Sequence, residues 1–202
     1  VNQNTITKRY TEHAVKFITQ NKDKPFFIYL PHTMPHNPVH SSKEFAGQSV
    51  NGGYGDCVEE IDWSTGEILK TLAKLNLDER TLVLFTSDNG AASRWGGSNK
   101  PLSGFKGSTM EGGMRVPCVV RWPGHIPAGS EFDQVASTID LLPTFAELSS
   151  ADAPAESHID GRSIAEVFLG TSKKSPHEAY YYYFRDTLQA VRSGPWKLHL
   201  AK

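Results

Sequence analysis

The stretch Leu82-Val83-Leu84-Phe85-Thr86-Ser87-Asp88-Asn89-Gly90 joins an apolar run directly to two side chains that carry oxygen. Its four consecutive apolar residues predict a short buried strand over residues 81–86. In open α/β sheets, ligands collect at the carboxyl ends of strands, and Asp88 and Asn89 stand at such an end. A carboxylate beside an amide carbonyl suits Ca²⁺ or Mg²⁺, because both ions prefer oxygen ligands. This stretch therefore predicts a strand with a candidate metal site at its carboxyl end.

The pair Asn89-Gly90 has a second interpretation, since Asn-Gly is the strongest short signal for a type I′ hairpin turn. Such a turn requires a second strand immediately afterwards. The next residues, 91–97, read Ala-Ala-Ser-Arg-Trp-Gly-Gly and do not alternate between apolar and polar side chains. A long loop rich in glycine and serine is predicted over residues 88–115 instead. From the residues alone, both the turn and the metal site stay open.

A second candidate site lies in the same loop, at Lys106-Gly107-Ser108-Thr109. Small residues let backbone N–H groups approach an anion, and the lysine ammonium adds a point charge. The alternative is a solvated surface lysine, which is the usual environment of this residue type. The spacing of a phosphate-binding P-loop is absent before Lys106, which argues against nucleotide binding. Gly112-Gly113, further along, are expected to serve backbone geometry.

Three histidines, His32, His36 and His40, follow one another at intervals of four. On a helix this spacing would imitate a zinc site, but three prolines are interleaved with them and argue against a helix. No cysteine lies near them in sequence, so a zinc site is disfavoured. A loop histidine that follows a buried strand can still donate a proton or bind an anion. The residues alone do not indicate which of the three does so.

The rest of the chain alternates predicted helices with predicted strands, which implies a mixed or parallel α/β sheet flanked by helices. Hydrophobic periodicity and helix-end signals predict helices over 7–21, 56–75, 140–148 and 163–169, and strands over 26–30 and 117–122. Asp140 is the expected N-cap of the third helix. The tail differs, because three short strand-like runs with turns over 180–184, 188–192 and 196–200 predict a small antiparallel sheet. We therefore place one unit at 1–175 and the start of a second at 176–202.

Composition narrows the classes of protein further. The chain has 202 residues, 38% of them hydrophobic, and a formal net charge of -1, which fits a globular protein without a strong field for nucleic acid. We find no run of about 18 apolar residues that would span a membrane. The two cysteines, Cys57 and Cys118, are too few for a disulfide framework. Cys118 lies in an apolar run and is expected to be buried.

Taken together, these segments resemble the sulfatase family, especially arylsulfatase A-type enzymes of the alkaline phosphatase superfamily. The resemblance covers essentially the whole chain and implies an alkaline-phosphatase-like α/β fold with a small C-terminal antiparallel subdomain. It rests on Phe26–Leu30 leading into Met34-Pro35-His36-Asn37-Pro38, on Phe85–Gly90, on Lys106–Pro117 continuing through Trp122-Pro123-Gly124, and on Leu188–Leu198.

The resemblance also implies roles for individual residues. Asp88 and Asn89 match a pair of metal ligands, usually around Ca²⁺, with Mg²⁺ as the other candidate. Lys106 matches a lysine that binds the sulfate and stabilises charge near the leaving oxygen. His36 matches the histidine near the leaving group, a candidate general acid, whereas the other two histidines have no counterpart. The implied substrate is a sulfate ester (an aryl sulfate, a sulfated glycan or a sulfolipid), and the implied location is periplasmic, extracellular or lysosomal.

One part of the family pattern is absent from this chain. Sulfatases carry a Cys/Ser-X-Pro-X-Arg signature whose first residue becomes formylglycine, the nucleophile. Cys57 is followed by Val-Glu-Glu and Cys118 by Val-Val-Arg, so neither fits. An upstream Asp-Asp metal pair and a Lys-X-His motif are missing too. We therefore expect the C-terminal portion of a sulfatase, inactive when isolated. Two alternatives remain: a non-catalytic sulfatase-like binding protein, and a related phosphodiesterase or phosphonate monoester hydrolase.

Overall fold

A computed structural model describes residues 2–152 and 158–200 of the chain. Its strands form two separate antiparallel sheets, one with the order β1-β2 and one with the order β3-β4-β5. In chain order the elements are α1 (Ile6–Gln20), α2 (Gly52–Lys74), β1 (Val83–Thr86), α3 (Glu111–Met114), β2 (Cys118–Arg121), α4 (Leu141–Leu148), α5 (Ala165–Phe168), β3 (Tyr180–Phe184), β4 (Thr187–Ser193) and β5 (Trp196–His199).

Helices α1 and α2 pack against each other and hold the main apolar cluster. One stripe of α1 is buried, at the helical spacing expected of an amphipathic helix, and comprises Thr7, Thr11, Ala14 and Ile18. Thr11 Oγ1 donates to Ser64 Oγ of α2 at 2.7 Å. Ile18 and Leu72 are each only 1% exposed and pack with Leu77. The predicted first helix is therefore confirmed, within one residue at each end.

Strands β1 and β2 bring the two ends of the long loop together. Thr86 pairs with Cys118, and the Thr86 hydroxyl donates to the Pro117 carbonyl at 3.0 Å. The other end of the pair is tied by Arg121, whose guanidinium donates to both oxygens of Asp78 at 2.9 and 2.7 Å. This hydrogen bond from Arg121 lowers the pKa of Asp78. These contacts at both ends of the β1/β2 pair fix the position from which the loop 87–117 leaves β1.

Two predictions about buried segments are wrong. Residues 26–30 form no strand, and Phe27 and Tyr29 are 72% and 79% exposed, whereas Ile28 packs against the α1/α2 cluster. A strand needs backbone partners, and none pairs with this run among the described residues. Cys118 is exposed rather than buried, as is its neighbour Val119, in a strand that pairs only with β1 among the described residues. Neither cysteine forms a disulfide with the other.

Asp140 precedes α4 as predicted, but its side chain does not cap that helix. The carboxylate instead accepts the backbone N–H groups of Ser137 at 2.8 Å and Arg162 at 2.9 Å. Its Oδ1 also lies 2.8 Å from His177 Nε2. Asp140 is fully buried. Its carboxylate joins three separate stretches of chain and accepts no hydrogen bond from the backbone N–H groups in the first turn of α4.

The tail forms the predicted antiparallel sheet. β4 pairs with β3 on one side and with β5 on the other, with an irregularity between Tyr182 and Tyr183. This sheet lies inside the predicted second unit, 176–202, although the boundary itself stays a prediction. Among the described residues, no helix combines the length and apolar character needed to cross a bilayer.

Candidate functional site

The candidate metal ligands stand on the loop that leaves β1. Asp88 is exposed and Asn89 is partly buried. The Asn89 amide donates to the Asp88 carboxylate, and Ser87 Oγ donates to the Asn89 carbonyl at 2.9 Å. The Asp88 carboxylate and the Asn89 amide thus lie side by side, and both carry oxygen atoms of the type that Ca²⁺ and Mg²⁺ prefer. No group of three or more His, Cys, Asp or Glu residues suited to a metal occurs in the described part of the chain.

The hairpin interpretation of Asn89-Gly90 is wrong. β1 pairs with β2, and the whole loop 87–117 lies between the two strands, so no second strand follows the Asn-Gly pair directly. Gly90 serves a close approach instead. Its N–H donates to the Gly113 carbonyl at 3.0 Å, and a Cβ added to Gly90 would lie 1.8 Å from the Gly112 carbonyl oxygen. Only glycine fits where the two halves of the loop meet.

The lysine loop lies beside this pair of ligands. The Lys106 N–H donates to the Ala91 carbonyl, two residues after Asn89, at 3.0 Å. The Asn99 side chain joins the segment that contains Ala91 to the segment that contains Gly104. Its Oδ1 accepts the Ala91 N–H at 2.8 Å. Its Nδ2 donates to the carbonyls of Ala91 and Gly104 at 3.0 and 3.1 Å. The Lys106 side chain itself is exposed. The sequence carried no signal for Asn99, since a bracing asparagine inside a loop follows no periodicity.

His36 is an exposed loop residue. Its Nδ1 contacts the Asn37 carbonyl at 2.9 Å, and because a carbonyl only accepts, Nδ1 carries the hydrogen. The other ring nitrogen, Nε2, is therefore the one available to a substrate. Among the described residues, no hydrogen bond joins His36 to Asp88 or Lys106. The described hydrogen bonds bring the Lys106 backbone to Ala91, close in sequence to the candidate ligands Asp88 and Asn89, and connect none of them to His36.

The other two histidines have structural surroundings. His32 is partly buried beside Tyr10, with ring centroids 6.1 Å apart, and burial lowers the pKa of its imidazole. His40 Nδ1 contacts Asn4 Oδ1 at 2.8 Å, and its carbonyl accepts the Cys57 thiol at 3.3 Å. The three rings thus have three different sets of neighbours.

Two acidic residues of α2 hold the loop that follows His36. Asp56 accepts the backbone N–H groups of residues 47–49 at 2.8, 3.1 and 2.8 Å. Glu60 Oε2 accepts the Ser42 N–H at 2.9 Å, in a side chain only 1% exposed. The hydrogen bonds from this loop, led by that of the Ser49 amide, lower the pKa of Asp56. Neither acidic residue stood out in the sequence, because an acidic residue on a helix normally faces solvent.

A cleft of about 310 Å³ separates the start of α2 from the loop after Trp95. Tyr54 and Glu59 line one side, and Gly97 and Ser98 line the other. Ser98 directly precedes Asn99, so the cleft borders the junction between the metal-ligand loop and the lysine loop. Trp95 itself is 53% exposed.

Comparison with solved structures identifies the fold class of this chain. The PsFucS1 sulfatase from Pseudoalteromonas sp. has the same fold, with a TM-score of 0.91 and 30% identity over 97% of this chain and 40% of its own. This likeness confirms the predicted alkaline-phosphatase-like α/β class.

The family follows from sequence comparison. The family model described as Sulfatase matches residues 1–151, so the chain belongs to the sulfatase family. It is 42% identical over 202 residues to steryl-sulfatase of Rattus norvegicus, covering 96% of this chain and 34% of the relative. It is 43% identical over 202 residues to N-acetylgalactosamine-6-sulfatase of Mus musculus, covering 96% and 38%. The chain therefore spans about a third of the length of these curated relatives.

Proposed function

We propose that the full-length protein hydrolyses sulfate esters and that this chain supplies one wall of the active site. The observation that carries the proposal is the hydrogen bond from the Lys106 N–H to the Ala91 carbonyl, which sets a cationic loop beside Asp88 and Asn89. A divalent cation and a lysine side by side suit an anionic ester, because sulfate transfer develops negative charge on the sulfate and leaving oxygens. Membership of the sulfatase family supports the same activity.

In the proposed mechanism, Lys106 binds a sulfate oxygen and stabilises the charge that develops near the leaving oxygen. His36, with Nδ1 engaged by Asn37, uses Nε2 to give a proton to that oxygen. A positioned acid of this kind contributes about 10²–10⁴ in rate. Asp88 and Asn89 would hold Ca²⁺, or Mg²⁺, which would supply positive charge beside the sulfate oxygens. The nucleophile, a formylglycine, would come from outside these 202 residues, since neither cysteine has the required signature.

The proposed substrate is a sulfate ester whose alcohol part reaches the cleft beside Tyr54 and Ser98. The cleft volume of about 310 Å³ allows one ring of a glycan or part of a larger alcohol, and its walls mix an aromatic ring with polar groups. The two relatives are named for different substrates, a steryl sulfate in one and a sulfated N-acetylgalactosamine in the other. Their sequence identities to this chain, 42% and 43%, are nearly equal. Aryl sulfates, sulfated glycans and sulfolipids are therefore all to be assayed.

The test compares turnover of an aryl sulfate and the matching aryl phosphate by the full-length protein, together with binding of a sulfated glycan. Preference for the sulfate ester supports the proposal. Preference for the phosphate ester would identify a phosphodiesterase or phosphonate monoester hydrolase relative instead. Glycan binding without turnover of any ester would identify a non-catalytic binding protein.

The Lys106→Ala variant of the full-length protein is expected to lose about 10²–10³-fold in kcat for an aryl sulfate, because a fixed charge aimed at the developing oxyanion is lost. Lys100→Ala is the matched control, since Lys100 is also exposed and lies on the same loop. Steady-state kinetics of both variants measure the effect. Equal activity in the two variants would remove Lys106 from the mechanism.

A further inference from the structure

We propose that Glu111 is a positioning residue for Lys106, and that Lys197 and Arg192 of the C-terminal sheet hold it in that role. The inference rests on the proposed function, because it assigns the second sheet a part in sulfate-ester hydrolysis. Lys106 and Glu111 belong to one continuous stretch, 106–111, that ends at the first residue of α3.

The contacts of Glu111 are specific and partly shielded from water. Oε1 accepts from Lys197 Nζ at 2.8 Å, and Oε2 accepts from Arg192 Nη1 at 3.1 Å. The side chains of Glu111, Lys197 and Arg192 are 25%, 11% and 17% exposed. Exposed ion pairs are screened and contribute little, whereas a pair with this degree of burial keeps more of its attraction. The carboxylate is thus bound to two strands of the sheet at once.

The same sheet also forms hydrogen bonds with Thr109, which is closer to Lys106 in sequence than Glu111 is. Lys197 Nζ donates to the Thr109 carbonyl at 2.6 Å, and Thr109 Oγ1 donates to Gln189 Oε1 at 2.9 Å. The Lys197 ammonium is held in turn by the Tyr182 ring, whose centroid lies 3.5 Å away. Thr109 is buried, so these bonds are not exchanged freely for bonds to water.

The loop is therefore held from two sides. On one side the Lys106 N–H is bonded to Ala91, next to the metal-ligand pair. On the other side the cluster of Glu111, Thr109 and Lys197 ties residues 109–111 to the sheet. Without these contacts to the sheet, the Lys106 loop is held by backbone hydrogen bonds, among them Lys106 N–H to Ala91 and Gly112 N–H to Ser103, and by the Asn99 side chain. Small displacements of a catalytic group have large effects on rate.

Charge compensation explains why a carboxylate is tolerated near a site for an anion. Burial by itself would raise the pKa of Glu111, but the hydrogen bond from Lys197 and the charges of Lys197 and Arg192 outweigh it, so the pKa is lowered. Glu111 is accordingly ionised at neutral pH and neutralised by its partners. Burial, together with the charge of Glu111, raises the pKa of Tyr182 to about 12, which keeps the phenol protonated.

The experiment is a double-mutant cycle in the full-length protein. Glu111→Gln is expected to lower kcat for an aryl sulfate by about 10- to 100-fold, with a smaller change in KM. In the Lys106→Ala background the same substitution is expected to cause no further loss, because Glu111 acts through Lys106. Glu67→Gln is the control, as it breaks the exposed Lys70–Glu67 pair on α2 and touches neither loop. A loss by the same factor in both backgrounds would overturn the positioning role.

A second measurement is independent of turnover. Hydrogen exchange of peptides that cover residues 103–110 should be about tenfold faster in Glu111→Gln than in wild type or Glu67→Gln, because loss of the tie makes local opening easier. Unchanged exchange overturns the inference. A wild-type protein that hydrolyses no sulfate ester refutes the proposed function, and the exchange result then still decides whether Glu111 holds the Lys106 loop.

Discussion

An Asp88→Ala substitution in the full-length protein is expected to lower kcat/KM for an aryl sulfate by about 10³-fold, equivalent to about 4 kcal/mol of transition-state stabilisation. The reason is the proposed loss of a charged oxygen ligand from the metal site. The side chain is exposed, and its described hydrogen-bond partner is the adjacent Asn89, so the fold should tolerate the change. Steady-state kinetics and the metal content of the purified protein measure the two effects together.

Two companion variants sharpen this prediction. Asp88→Asn keeps an oxygen ligand but removes its charge, so an intermediate loss is expected. Asp23→Ala removes an exposed carboxylate from the turn after α1 and should behave as wild type. Chelation of wild type should reproduce the Asp88→Ala defect, and added Ca²⁺ should reverse it only in wild type. Wild-type metal content and activity in Asp88→Ala would exclude Asp88 as a ligand.

The largest expected effect on stability comes from Asp140→Ala, at about 3–5 kcal/mol. The substitution leaves the N–H groups of Ser137 and Arg162 without their acceptor in a fully buried position and removes the partner of His177. The N–H donors of Ser137 and Arg162 are partly buried, and each donor left unpaired costs about 1–3 kcal/mol, so the effects accumulate. Urea unfolding of the full-length protein followed by circular dichroism, with fluorescence as a second probe, measures the change.

The control for Asp140 is Asp133→Ala, because Asp133 is exposed and its described side-chain contact is with its neighbour Gln134. Its unfolding midpoint should stay close to that of wild type. If Asp140→Ala does not accumulate as folded protein, Asp140→Asn still tests the prediction, since it keeps one acceptor and should lose less stability. Equal midpoints for the Asp140 and Asp133 variants would show that the buried contacts contribute little.

How far the fold followed from sequence depended on the range of the interactions. The first helix was predicted within one residue, because its buried stripe repeats with the period of the helix itself. The second helix begins at Gly52 rather than at the predicted Asp56. Its first turn is rich in glycine and resembles a loop in sequence, but Tyr54 packs against Gly96 and Gly97 from a distant segment. The strand predicted at 26–30 fails for a related reason, since strands form only with partners.

The sequence by itself predicted a class of chemistry from three features: candidate oxygen ligands in Asp88-Asn89 after an apolar strand, a lysine on a glycine-rich loop, and a histidine between prolines. These are short-range patterns, readable because the relevant residues are neighbours along the chain. Only the tertiary structure decided that Asn99 joins the first two segments, that Asp56 anchors the loop after His36, and that Glu111 ties the lysine loop to the last sheet. Such contacts depend on geometry and burial between residues far apart in sequence, which local composition does not encode.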